Sequence, residues 1–172
     1  METIVTHPRS SVFYDKNRDI FIKKFTPKIS SKIKYFFRLR KYPGENFYYI
    51  STFLNSLNIN TPTVVKHLNY YVETKNIKGI SLEEFIKNNP TDKDIVNKFT
   101  TLVITLIHNN IYCGDLSLDN FMVKDNEIYV LDLEDYRHVK FFKHTKNEFL
   151  RRLKGKVPKE IFENIIEKLQ TT

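Results

Sequence analysis

The stretch 107–135, IHNNIYCGDLSLDNFMVKDNEIYVLDLED, constrains this chain more than any other. Ahead of it, Ile95, Phe99, Leu102, Val103, Leu106 and Ile107 recur at helical spacing, so an apolar helix runs into the polar pair Asn109-Asn110. A polar loop then carries Asp115 and, five residues on, Asn120. Two apolar segments, 121–123 and 128–131, flank Lys124-Asp125-Asn126-Glu127 and read as a β-hairpin, with Asp132 immediately past its second strand. A hairpin brings its open ends together, so Asn120 and Asp132 are expected to be neighbours, with Asp115 on the loop beside them. Two carboxylates and an amide oxygen in one small volume are hard donors that suit Mg²⁺, which keeps waters and substrate phosphates in its other positions.

The rest of the chain frames that stretch. Segments 3–6, 12–14 and 19–25, separated by Pro8-Arg9-Ser10-Ser11 and by a polar turn at 15–18, read as three antiparallel strands. Ile33, Phe36, Phe37 and Leu39 recur at helical spacing over 31–40, and Pro43-Gly44 breaks that helix. A second helix follows, with Phe47, Ile50, Leu54 and Leu57 on one face. Strands are expected at 63–66 and 70–75 and a short helix at 81–87, and Thr91 with Asp94 resembles a capping box for the long helix. Beyond the hairpin, helices are expected at 146–154 and from Pro158 onward. Strands first and helices later predict an α+β chain, read as one domain over 1–172 with a β-rich lobe at 1–77 and a reduced helical lobe at 78–172.

Composition limits the function classes. A hydrophobic content of 41%, with 14 Phe and 10 Tyr, supplies a core and excludes a disordered chain. The single cysteine, Cys113, excludes an intrachain disulfide and fits a reducing cytoplasm. The longest apolar run, 100–107, is too short to span a bilayer. A net charge of +8 favours anionic partners, although a solvated lysine-rich surface accounts for it equally.

The catalytic-loop stretch resembles the protein-kinase superfamily. Cys113-Gly114-Asp115-Leu116-Ser117-Leu118-Asp119-Asn120 is similar to its H-R-D-L-x-x-x-N loop, and Asp132-Leu133-Glu134 to its D-F-G. The resemblance implies a minimal two-lobed kinase-like fold using ATP and Mg²⁺. Asp115 would meet the acceptor hydroxyl, and Asn120 and Asp132 would hold the metal. Ile20-Phe21-Ile22-Lys23 resembles the V-A-I-K strand, which makes Lys23 the candidate for the nucleotide phosphates; Lys24 alternates to the other face. Glu45 is the expected carboxylate partner of Lys23, or else an ordinary first-turn glutamate favoured by the helix dipole. The run Tyr71 to Leu82, with Glu73, Gly79 and Ser81, resembles the hinge of small-molecule kinases, so backbone groups at Lys75 and Ile77 would meet adenine. Arg9, Ser10 and Ser11 stand where a Gly-rich phosphate loop is usual. Cys113 and Gly114 replace the usual His and Arg, and Cys113 is expected to be a buried small hydrophobe.

With 40 residues after Asp132 and no A-P-E-like stretch, a peptide acceptor is not expected. Asp135-Tyr136-Arg137-His138-Val139-Lys140, with Lys143, His144 and Lys146, puts positive charge beside the cleft and suits an anionic glycan or glycolipid acceptor. Across about 12–135 the pattern, including Tyr42-Pro43-Gly44-Glu45-Asn46-Phe47, is similar to bacterial lipopolysaccharide-core heptose kinases. That implies a cytoplasmic enzyme with peripheral contact at the inner membrane. The alternatives are a small atypical kinase or ATPase of a tRNA-modification complex, which shares the Gly-Asp-Leu-x-x-x-Asn loop, and a pseudokinase scaffold. Nucleic acid is disfavoured as a partner, because the Phe and Tyr residues fall mostly on periodic core faces.

Overall fold

The computed structural model describes residues 1–139 and 142–171, without the side chains of 142–145. Strands β1 (Glu2–His7), β2 (Ser10–Asp15) and β3 (Ile20–Phe25) pair antiparallel in chain order, with Val12 opposite Lys23. Helices α1 (Ile29–Phe36) and α2 (Pro43–Ser56) follow. Strands β4 (Val64–Leu68) and β5 (Tyr71–Lys75) then complete a five-stranded sheet of order β1-β2-β3-β5-β4. The long return through two helices lets β5, rather than β4, slot beside β3, with Lys23 opposite Val72.

Pro43 starts α2 at a position where its absent N–H costs nothing. Gly44 is required by space: a Cβ there would stand 1.9 Å from the Leu68 carbonyl oxygen and 2.5 Å from that of Tyr71. The Gly44 N–H donates to the Asn69 carbonyl at 3.0 Å, which fastens α2 to the β4–β5 turn.

Past Lys75 the chain crosses to β6 (Ile80–Ser81) and α3 (Leu82–Asn88), capped by the Ser81 hydroxyl. The long helix is α4 (Lys93–His108), and its N-cap is Asp92, whose carboxylate accepts from the Asp94 and Ile95 N–H groups. Asp92 rather than Thr91 takes that role because its carboxylate reaches the orphan N–H groups of the first turn. Then come β7 (Ile111–Tyr112), the hairpin β8 (Phe121–Lys124) and β9 (Glu127–Val130), β10 (Arg137–His138), α5 (Phe142–Lys154) and α6 (Lys159–Thr171). Strand β6 pairs with β8, and β10 returns to β7, so both short strands bracket the loop 113–120.

One hydrophobic core runs through both halves, from Phe47, Ile50 and Leu54 of α2 to the α4 stripe and on to Ile161 and Ile165 of α6. Phe99 meets Phe121 edge-to-face at 5.0 Å, pinning the hairpin to the long helix. This is the α+β, two-lobed arrangement the strand and helix order predicts. The helix expected over 31–40 is corrected to Ile29–Phe36, ending before Arg38 takes a positive φ of 54°. Phe36 and Phe37 face solvent.

Candidate active site

Strand alternation turns Phe21 and Lys23 of β3, and Val72 of β5, toward one face of the sheet. With Val12, Ile77 and Met122 they line a slot of about 220 Å³, and Asp132 stands in the same wall. Lys24 alternates outward and sits over the Phe13 ring at 5.3 Å. The crossing segment is held from behind by Asp19, whose carboxylate takes Tyr14 Oη at 2.6 Å, Asn76 Nδ2 at 3.0 Å and Lys78 Nζ at 2.7 Å. These donors, Lys78 foremost, hold the Asp19 carboxyl down at about 2. The Lys75 N–H is already donated to the Thr63 carbonyl at 2.9 Å, whereas the Ile77 N–H makes no backbone hydrogen bond among the described residues.

Lys23 Nζ lies 2.8 Å from Asp132 Oδ1 and 2.6 Å from Glu134 Oε1. Asp132 adopts a left-handed backbone, φ 53°, which turns the chain out of β9 and aims both carboxylates at one ammonium. Burial pulls the Lys23 ammonium down, but Glu134 and Asp132 outweigh it and leave it above the ordinary lysine value. Burial, reinforced by Asp132, pushes Glu134 above the usual carboxylate range despite the lysine. Asn46 of α2 completes the arrangement: its Nδ2 donates to the carbonyls of Leu133, Glu134 and Tyr136 at 3.3, 3.0 and 3.0 Å.

The loop 113–120 is braced from within. Asp115 Oδ1 accepts the Ser117 N–H at 3.0 Å, and Asn120 Nδ2 donates to the Asp115 carbonyl at 3.3 Å. The Asn120 carbonyl accepts the Leu131 N–H at 2.8 Å, so the open end of the hairpin sets Asn120 one residue from Asp132 in register. Cys113 is buried, and burial pushes its thiol up to about 12, so it serves as packing. Positive groups surround Asp115: Lys156 Nζ is 3.5 Å away, and Arg152 Nη1 donates to the Gly114 carbonyl at 3.1 Å. Arg151 and Arg152 are both held by Glu148 and, with Lys156, border an open cavity over Asp115.

No family model matches the chain. The EKC/KEOPS complex subunit BUD32 of Enterocytozoon bieneusi (strain H348) is 30% identical over 92 residues, which is 46% of this chain and 45% of that protein. Among solved structures, WbdD in complex with the kinase inhibitor LY294002 matches with a TM-score of 0.58 at 12% identity, over 94% of this chain and 44% of that one. ADP-bound aminoglycoside phosphotransferase APH(2'')-Ib matches with a TM-score of 0.55 at 14% identity, over 79% of this chain and 66% of that one. The chain has the protein-kinase-like fold. It spans less than two thirds of each of these proteins.

Within that fold the expected residues separate into two groups. Lys23 and Asp132 pair in the wall of the apolar slot, and Asn120, which donates to the Asp115 carbonyl, lies one residue from Asp132 in the hairpin register. Glu45 does not join them: it lies exposed in the first turn of α2 and, among the described residues, makes no ion pair. The pairing expected of Glu45 is corrected to Glu134, because the first helical turn carries Glu45 away from β3 while the turn after Asp132 delivers Glu134 beneath it. The one signal for this in the sequence was a glutamate at the third position of the D-F-G-like triplet. Arg9 is the second residue of the two-residue turn between β1 and β2, and Ser10 and Ser11 open β2, paired with His7 and Thr6. Arg9 and Ser10 border a basic cavity with Lys28, Arg40 and Arg137, beside rather than inside the apolar slot. Burial, and then Arg40, hold the Arg137 guanidinium below its ordinary value. Lys140 and the side chains of Lys143 and His144 lie outside the described residues.

Among the described residues no three His, Cys, Asp or Glu side chains converge as a metal site. Asn120 Oδ1 and the Asp132 oxygen not engaged by Lys23 fit a cation whose remaining positions come from phosphates and water.

Proposed function

We propose that this chain is an ATP-dependent phosphotransferase that moves the γ-phosphate to a hydroxyl of a small anionic acceptor, of the class of the lipopolysaccharide inner-core sugars. The observation that carries the reading is the Lys23–Asp132 contact of 2.8 Å, at the junction of an apolar slot with the Asp115 loop. Adenine would occupy the slot, with the Ile77 N–H as its donor. Lys23 would meet the phosphates, and Asn120 and Asp132 would hold Mg²⁺, which supplies charge neutralisation when bound. Asp115, held by Ser117 and exposed to the cleft, would orient the acceptor hydroxyl and receive its proton. Positioning and electrostatics suffice for such a transfer.

The acceptor class is supported by charge. Arg151, Arg152 and Lys156 border Asp115, and Arg9, Lys28, Arg40 and Arg137 border the neighbouring cavity. A second reading, a kinase or ATPase working within a tRNA-modification complex, is favoured by the sequence match to BUD32.

The test is label transfer from γ-labelled ATP with Mg²⁺ to a glycolipid extract, with Asp115→Ala as control. Label in the glycolipid with the native protein alone supports the first reading. ATP hydrolysis without any labelled acceptor supports the second. Nucleotide binding without either reaction would leave a scaffold.

A further inference from the structure

Helix α1 is built inside out. Its apolar residues Ile29, Ile33, Phe36 and Phe37 fall at i, i+4, i+7 and i+8, the spacing of a single helix face. In a globular domain that face seeks the core. Here Ile29 is 78% exposed, Ile33 52%, Phe36 76% and Phe37 66%, and Leu39 just beyond is 74% exposed. The opposite side of the helix makes the attachment: Ser31 and Tyr35 are the half-buried positions, and Tyr35 packs on Tyr42 and Tyr70 at 5.5 and 6.3 Å. No residue of α1 is buried. The outward apolar face is therefore not a by-product of poor docking, since the helix docks through its polar and aromatic side.

Charge singles out what covers this face. From Lys28 to Lys41 the chain carries Lys28, Lys32, Lys34, Arg38, Arg40 and Lys41 and no acidic residue. Among the described residues none of these six makes an ion pair. At about 100° per residue, Lys32 and Lys34 flank the apolar stripe on its two sides. Long basic side chains beside exposed phenylalanines match an anionic lipid surface, where rings enter the acyl boundary and ammonium groups stay at the headgroups. Among the described residues no helix is long and apolar enough to cross a membrane, so contact through α1 would be lateral.

We infer that α1 and the turn to Leu39 form an interfacial docking element that seats the protein on an anionic bilayer. The other side of the same helix, through Lys28, Ser31 and Tyr35, borders the basic cavity beside the candidate active site. Docking would hold that cavity close to headgroups, where a membrane-borne acceptor presents its charges. The docking itself does not depend on the phosphotransferase reading.

The experiment is co-sedimentation of the full chain with phosphatidylglycerol vesicles and, separately, phosphatidylcholine vesicles at low salt. The native protein should pellet with the anionic vesicles only. The F36S/F37S and K32E/K34E proteins should each lose roughly tenfold or more of that partitioning. With no buried residue in α1, both should keep the native melting temperature. Asp115→Ala should pellet as the native protein does, which separates this test from the one for catalysis. Binding to neither lipid, or to both alike, overturns the inference. So does a native homodimer that F36S/F37S converts to monomer, since the face would then be a seal between copies.

Discussion

Lys23 Nζ stands 2.6 Å from Glu134 Oε1, while Glu45 on α2 remains in solvent. The lysine of the candidate nucleotide site is thus oriented by the turn that follows Asp132 rather than by a carboxylate of the helix. Lys23 is largely buried between Asp132 and Glu134, so removing one carboxylate leaves the other to hold it alone. Glu134→Gln is expected to lower label transfer roughly 10- to 100-fold, as loss of a charge-assisted contact does. Glu45→Ala should stay within about twofold of the native rate. Equal losses for both variants would return the partner role to the helix.

Asn46 ties α2 to that same turn by donating to three carbonyls. Asn46→Ala leaves those acceptors without their donor at a half-buried site. The expected cost is about 2 kcal/mol of stability, read by urea denaturation. A fall in label transfer should accompany it, because Glu134 loses its support. A variant as stable as the native chain would mean that the carbonyls find water instead.

Gly44 packs with its Cα against the carbonyls of Leu68 and Tyr71. Backbone oxygens of a paired hairpin cannot move aside as a flexible side-chain tip can. Gly44→Ala should therefore cost about 3 kcal/mol and lower the melting temperature visibly. A neutral effect would show that α2 can slide along the sheet without penalty.

Asp19 carries an acid-dependent share of stability. Its carboxyl titrates at about 2 in the fold against an ordinary 3.8, so the unfolded chain takes up that proton first. The contribution is full above the ordinary value and is lost as pH falls through about 2. Asn tolerates the positive φ that Asp19 adopts, so Asp19→Asn removes the charge with little backbone strain. The difference in denaturation midpoint between about pH 6 and about pH 2 should be smaller in Asp19→Asn than in the native protein. An unchanged difference would show that other carboxylates govern the acid limb.

The sequence by itself determined the order of elements and the meeting of Asn120 with Asp132. Helical spacing set the α4 face, a polar quartet set the hairpin, and the hairpin's closure brought Asn120 to Asp132; all of these are local and periodic. The resemblance of Ile20-Phe21-Ile22-Lys23 to a V-A-I-K strand pointed to Lys23, and strand alternation put Lys24 on the other face. What only the tertiary structure decided is how separate elements meet. Glu134 reaches Lys23 through a left-handed turn at Asp132 that no periodic pattern encodes. Asp92 displaces Thr91 as the cap of α4 because cap geometry turns on single residues. Spacing shows that Ile33, Phe36 and Phe37 share a helix face, but not which way that face points. Its direction was set by where Tyr35 found Tyr42 and Tyr70, the latter 35 residues further along the chain.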